Sequence, residues 1–127
     1  MDDSIRSDGL KITVSAQWPR PSVCVVRLAG EVDVASADPL VDFLREATVR
    51  RPAHLVLDVS GVRFLASAGV GLITSALRNA EGIHGRLHLI GVAGNRAVAR
   101  VLDLAGVRRM LDVHDDLEHL LAHLDRR

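Results

Sequence analysis

Apolar and polar positions alternate at two different periods along this 127-residue chain, and the switches between them mark its elements. Leu10, Ile12 and Val14 alternate with Lys11, Thr13 and Ser15, the period of a half-buried strand. Trp18-Pro-Arg-Pro21 breaks that run, and Ser22 to Leu28 is β-branched enough for a returning strand. Gly30-Glu31-Val32-Asp33 reads as a loop. Leu40, Phe43, Leu44 and Ala47 then fall at i, i+3, i+4 and i+7, a single helical stripe. That helix is expected from about Ala37, with Ser36 as its N-cap and Pro39 in its first turn.

His54 to Val59 is almost wholly apolar, which suits an interior strand covered on both sides. A second helix is expected from Ser67 to Glu81, turning Gly69, Leu72, Ile73, Ala76 and Ala80 inward. Arg86 to Ile90 reads as another strand. Asn95 caps a third helix carrying Ala97, Val98, Val101, Leu102 and Ala105, and Gly106 stops it. Val107 to Val113 is a short strand, and Leu117, Leu120, Leu121 and Leu124 place a last helix opening at Asp115 or Asp116. Residues 1–9 are polar and expected to fray, which leaves 10–127 as one domain. Two opening strands followed by alternating helix and strand predict an α/β domain. The economical arrangement is one mixed sheet of four to five strands with its helices mostly packed on one face.

Composition narrows the function. Sixteen Lys and Arg balance sixteen Asp and Glu, so no net charge draws the chain to nucleic acid or anionic lipid. Trp18, Phe43 and Phe64 are the only aromatics, too few for the stacking platforms of single-strand binders. Cys24 stands alone in the apolar run Val23 to Val26, which excludes an internal disulfide and suits a buried, inert thiol. The longest uncharged stretch, Phe64 to Leu77, is 14 residues, short of a membrane span. The N-terminus carries two aspartates where a signal peptide has positive charge. A cytoplasmic protein with no nucleic-acid or membrane partner and no cofactor is expected.

Candidate chemistry is sparse. His119 and His123 stand four apart on the last helix with Asp115 or Asp116 one turn earlier, a spacing that can chelate zinc. The leucine stripe points elsewhere and no third ligand is in sight, so solvated polar residues are the expectation. His84 and His88 are likewise read as surface groups. Ser67 lacks the first glycine of a nucleophile elbow, and no histidine is placed to bridge it to Asp58. Gly69-Val-Gly71 is not followed by the Lys-Ser/Thr of a phosphate loop. No enzyme is expected.

The informative stretch runs from Leu55 to Leu72: a strand, a turn, and a serine at a helix start. The first peptide N–H groups of a helix are unpaired and its dipole is positive there. A phosphate on Ser67 would find donors waiting. The plainer alternative makes Ser67 the N-cap of an ordinary helix.

This strand-Asp-x-Ser-x-Val-x-Phe-Leu-x-Ser-x-Gly pattern resembles the signature of STAS domains, specifically the stand-alone anti-sigma factor antagonists of bacteria. Gly30-Glu31-Val32-Asp33 is similar to that family's Gly-Glu-aliphatic-Asp loop, and Gly91, Asn95 and Leu104-Ala-Gly106 to its later segment. The resemblance covers nearly the whole chain. It implies a partner-switching cycle in transcription regulation. The unphosphorylated antagonist binds an anti-sigma factor, usually a serine kinase, and phosphorylation at the position of Ser67 releases it. A PP2C-type phosphatase restores the active form. The implied contact surface holds Glu31, Asp33, Ser36, Ser60, Ala66, Ala68, Gly69, Val70, Gly94 and Asn95 around Ser67. Two positions depart from the family: Ala66 replaces the usual aspartate before the serine, and Ala68 replaces a second hydroxyl residue. They keep open an alternative, a STAS scaffold or small-ligand or nucleotide sensor that is never phosphorylated.

Overall fold

The computed structural model describes the backbone of residues 2–7 and 10–126, and the side chains of 12–33, 36–66 and 69–126. The extended segments are strands β1 (Asp2–Ser7), β2 (Leu10–Arg20), β3 (Val23–Val32), β4 (His54–Leu65), β5 (Arg86–Ile90) and β6 (Asp112–His114). The striped segments are helices α1 (Val34–Ala47), α2 (Ser67–Gly82), α3 (Arg96–Ala105) and α4 (Leu117–Asp125). The strands lie side by side in chain order. β1, β2 and β3 pair antiparallel, whereas β3, β4, β5 and β6 pair parallel. A two-residue turn at Pro21–Ser22 suffices for an antiparallel return, while each parallel neighbour needs a helical crossover. The expected mixed sheet is present as β2–β6, and β1 adds an edge strand.

Three expectations about element ends are corrected. Asp2–Ser7, expected to carry no element, is paired with β2, from Asp2 opposite Ser15 to Ser7 opposite Leu10. Backbone pairing needs no apolar side chain, so a polar segment can form such a strand without announcing it. Trp18-Pro-Arg lies within β2, where a register shift between Gln17 and Arg20 absorbs the irregularity. Gly30 to Val32 is the end of β3 and no loop, so α1 starts three residues before Ala37, at Val34. Pro39 accordingly falls in the second turn of α1.

Strand alternation divides the interior into two layers. Cys24, Val26 and Leu28 of β3, Leu55, Leu57 and Val59 of β4, and Leu87 and Leu89 of β5 share the larger layer. Leu40, Phe43 and Leu44 of α1, Leu72, Ile73 and Ala76 of α2, and Val98 and Leu102 of α3 complete it. The intervening positions Val23, Val25, Val56 and Ile90 point to the opposite face, where Leu117, Leu120, Leu121 and Leu124 of α4 cover them. Three helices thus pack on one face and one on the other. β4 is covered on both sides, as its unbroken apolar run predicts. Cys24 is fully buried, and burial pushes its thiol up to about 11, which keeps it protonated and inert.

Candidate functional site

The neighbourhood of Ser67 is built by the far end of β4. Parallel pairing sets Phe64 beside Glu31 and Leu65 beside Val32, and the Ala66 N–H continues the ladder to the Val32 carbonyl at 2.9 Å. Ala66 is still extended (φ −76°, ψ 171°) and is the N-cap of α2, to which its methyl group contributes no hydrogen bond. Ser67 is therefore the first residue inside the helix, which overturns its reading as N-cap. The Gly69 N–H turns back to the Ala66 carbonyl at 2.8 Å. A Cβ on Gly69 would stand 2.0 Å from Leu65 Cδ1, so the bare glycine lets α2 fold back over the strand that delivers it. The side chains of Ser67 and Ala68 lie outside the described residues. A helix start without a side-chain cap, at the positive end of the dipole, is a favourable setting for an anion.

The acidic edge lies directly alongside, because Asp33 follows Val32. Its carboxylate accepts from the Ser36 N–H at 2.9 Å, while Ser36 Oγ accepts from the Asp33 N–H at 3.0 Å. This reciprocal pair is a capping box for α1. Ser36 is not the N-cap: it is 1% exposed, and its hydroxyl is engaged within the box. Gly69 is buried too, leaving Glu31, Asp33, Ala66 and Val70 partly accessible at this edge.

A second group is attached further back along β4. The β3–β4 register shifts between Arg27 and Ala29, and again between Gly30 and Glu31. Ser60-Gly61 is therefore an irregularity inside one long strand, where a turn was expected. Buried Asp58 organises it: Oδ1 accepts from the Ser60 N–H at 3.0 Å and the Ser60 hydroxyl at 2.7 Å, while Oδ2 accepts from Arg27 Nε at 2.9 Å. Asn95 ties the same stretch to α3. Its amide donates to the Val59 and Val62 carbonyls at 3.0 and 2.9 Å, and its oxygen caps Val98 N–H. Bulged backbone leaves carbonyls without ladder partners, and this amide satisfies them. Gly91 (φ +83°) closes against Ser60, where a Cβ would meet the Ser60 nitrogen at 2.6 Å. Ser60 and Gly94 are exposed, but Asn95 serves as an internal strut.

Sequence reasoning missed Phe64, which is 50% exposed beside Glu31 and immediately before the start of α2. It lay inside the quoted motif, yet its outward direction depends on register shifts that periodicity does not encode. Gly71 and Thr74 extend the accessible surface along α2, the Thr74 hydroxyl being held by the Val70 carbonyl at 2.6 Å. The site thus offers a helix start, an acidic flank and an exposed aromatic ring, a layout for docking.

The histidines need correction. His88 is buried at 1% exposure and contacts His54 and His114. His123 packs its ring on His114. His119 behaves as expected at the surface, with Nδ1 2.7 Å from the Asp116 carboxylate that caps α4. Among the described residues, no group of three or more His, Cys, Asp and Glu side chains could hold a metal ion. No described helix is long and apolar enough to cross a membrane.

Comparison with known proteins gives concordant likenesses. Residues 17–124 match the family model described as "Mlab, STAS domain". An anti-sigma F factor antagonist from Paenibacillus polymyxa is 30% identical over 81% of this chain and 87% of its own. An anti-sigma factor antagonist from Mycobacterium paratuberculosis has the same fold, with a TM-score of 0.75 at 24% identity over 88% of this chain and 92% of that one. Unphosphorylated SpoIIAA superposes with a TM-score of 0.74 at 19% identity, covering 90% of this chain and 97% of its own. Its phosphorylated form, from Bacillus, gives 0.66 at 19% identity over 87% and 98%.

Proposed function

The chain belongs to the STAS domain family, among the anti-sigma factor antagonists, and on that premise we propose that it binds an anti-sigma factor through the edge around Ser67. The partner is a serine kinase, phosphorylation of Ser67 ends the association, and a PP2C-type phosphatase renews it. The cycle runs in the cytoplasm. The observation that carries this reading is the placement of Ser67 as the first residue of α2, behind an N-cap with no side-chain bond and beside the Glu31–Asp33 edge.

The switch is electrostatic. Phosphate brings about −1.5 to −2 charges at neutral pH. At the first position of a helix that charge is compatible with the fold, because the unpaired N–H groups and the dipole favour it. At the centre of a contact it must be desolvated or repelled, and ~3 kcal/mol corresponds to about a hundredfold in affinity. Glu31, Phe64, Ala66, Ala68, Val70, Ser60 and Gly94 form the contact surface. Asp33, Ser36, Gly69 and Asn95 hold its backbone. Ala66 and Ala68 leave the hydroxyl as the single chemical feature between small neighbours.

The test pairs titration calorimetry against the candidate anti-sigma factor with mass mapping after incubation with that factor and ATP. Ser67→Glu should bind about a hundredfold more weakly than wild type, Ser67→Ala should bind as wild type, and phosphate should map to Ser67. Equal affinities for all three proteins would reject the switch. Tight binding without phosphate incorporation would leave a STAS scaffold that does not switch.

A further inference from the structure

Four histidines from distant parts of the chain converge on the face of the sheet opposite α1–α3. Parallel pairing sets Val56 opposite His88 and Ile90 opposite His114, so His54, His88 and His114 step diagonally across β4, β5 and β6 on one face. His54 Nδ1 lies 3.0 Å from His88 Nε2, and His88 Nδ1 lies 3.4 Å from His114 Nε2. The fourth ring, His123, comes from α4 and stands 5.2 Å from His114, centroid to centroid. We propose that this row is a proton-operated latch: uncharged, it holds α4 on the sheet, and on taking up protons it releases α4.

The hydrogen-bond count explains the latch. The two contacts within the sheet each need an N–H on one ring and a lone pair on the other, which neutral imidazoles supply in sequence, while His123 of α4 meets His114 ring against ring. One added proton makes a central ring a double donor that both neighbours can accept. A second, on an adjacent ring, sets N–H against N–H and charge against charge. Burial resists even the first. It is the main cause holding His88 down at about 4, with His54 adding repulsion, while Asp112 pulls the other way against His114 and Arg86. His114 is also lowered, by burial first and His123 next, against Asp112 and Asp115.

The sign follows by linkage. An exposed imidazole takes its proton near 6.5, and docked His88 only near 4, so the open state binds more protons in between. Docking is complete above that interval and weakens as pH falls through it. Three ion pairs lie around the row. Arg27 of β3 bonds Asp58 of β4, and Arg86 of β5 faces Asp112 of β6. Arg20 of β2 clasps Asp125 of α4 at 2.8 and 3.0 Å. Asp116 and His119 support each other, and Glu118 adds to the raised affinity of His119 for its proton. Mild acid leaves the Arg20 clasp in place and, by charging His119 beside Asp116, strengthens the α4 cap, so a loss of α4 protection between pH 7.5 and 5 falls to the histidine row. α4 is the element free to respond, since it covers only the small layer of Val23, Val25, Val56 and Ile90.

Amide hydrogen exchange on the full chain at pH 7.5 and 5.0, corrected for intrinsic rates, tests this. Amides of residues 118–125 should lose at least tenfold more protection than those of 55–59. In a His88→Gln, His114→Gln double variant, which keeps hydrogen-bonding groups but takes no proton, that difference should vanish. Equal changes in both segments of the wild type, or the same pH response in a folded double variant, would overturn the proposal. Should the double variant not fold, titration of the wild-type imidazole resonances decides. His88 and His114 gaining protons together with α4 release supports the latch, and their protonation with α4 still protected refutes it.

Discussion

Asn95 shows how much one side chain can hold together. Its oxygen caps α3, and its amide satisfies two carbonyls of irregular β4 backbone. The two functions separate by substitution, because aspartate is as good a cap as asparagine but cannot donate. Asn95→Asp should therefore lower the stability of the chain by about 2 kcal/mol in urea denaturation, although the cap is intact. A neutral Asn95→Asp would mean that the carbonyl contacts contribute nothing. The cap was legible from sequence, since Asn before an apolar stripe is a local signal. The amide's partners lie 36 and 33 residues away, and nothing local announces them. The histidine row is hidden for the same reason: strand register assembles it from positions 34 and 26 apart.

At the scale of elements, the stripes of α1, α2 and α4 were readable because a helix face is written in its own residues. α3 was read in part: Val98, Val101 and Leu102 pack inward, but Ala97 and Ala105 are exposed and Ala99 takes the inner face. Leu40, Phe43, Leu44 and Ala47 are buried as expected, and so are Gly69, Leu72, Ile73, Ala76 and Ala80. What a stripe cannot say is which layer it covers, so the lone position of α4 beyond the sheet needed the fold. Boundaries failed where one pattern admits two meanings. Ser36 before an apolar run looks like an N-cap, yet it is the third residue of a helix that Asp33 caps. Ser60-Gly61 looks like a turn, yet Asp58 holds it inside β4. The capping box gives a clean test of whether Ser36 belongs to the partner surface. Asp33→Ala and Ser36→Ala should each cost about 1 kcal/mol and fall short of additivity in the double variant, since they break one shared device. Ser36→Ala should leave affinity for the anti-sigma factor unchanged, and a loss at constant stability would return Ser36 to the contact surface.

For the molecule as a whole, the charge balance and the sheet edges belong to one argument. With sixteen positive and sixteen negative residues, no long-range repulsion keeps copies apart. Protection against edge-to-edge pairing must then come from the edges themselves. One edge is β6, only three residues long. On the other side β2 is eleven residues long, and β1 covers its outer ladder from Leu10 to Ser15. β1 brings Asp2, Asp3 and Arg6, charged residues suited to an edge. A chain lacking residues 1–8 should keep its helical and sheet content by circular dichroism but self-associate as concentration rises in sedimentation velocity. Adding Thr13→Lys to that truncated chain, a charge at an exposed position of the uncovered strand, should reverse the association. Identical sedimentation of truncated and full chains at every concentration would show that β1 guards nothing.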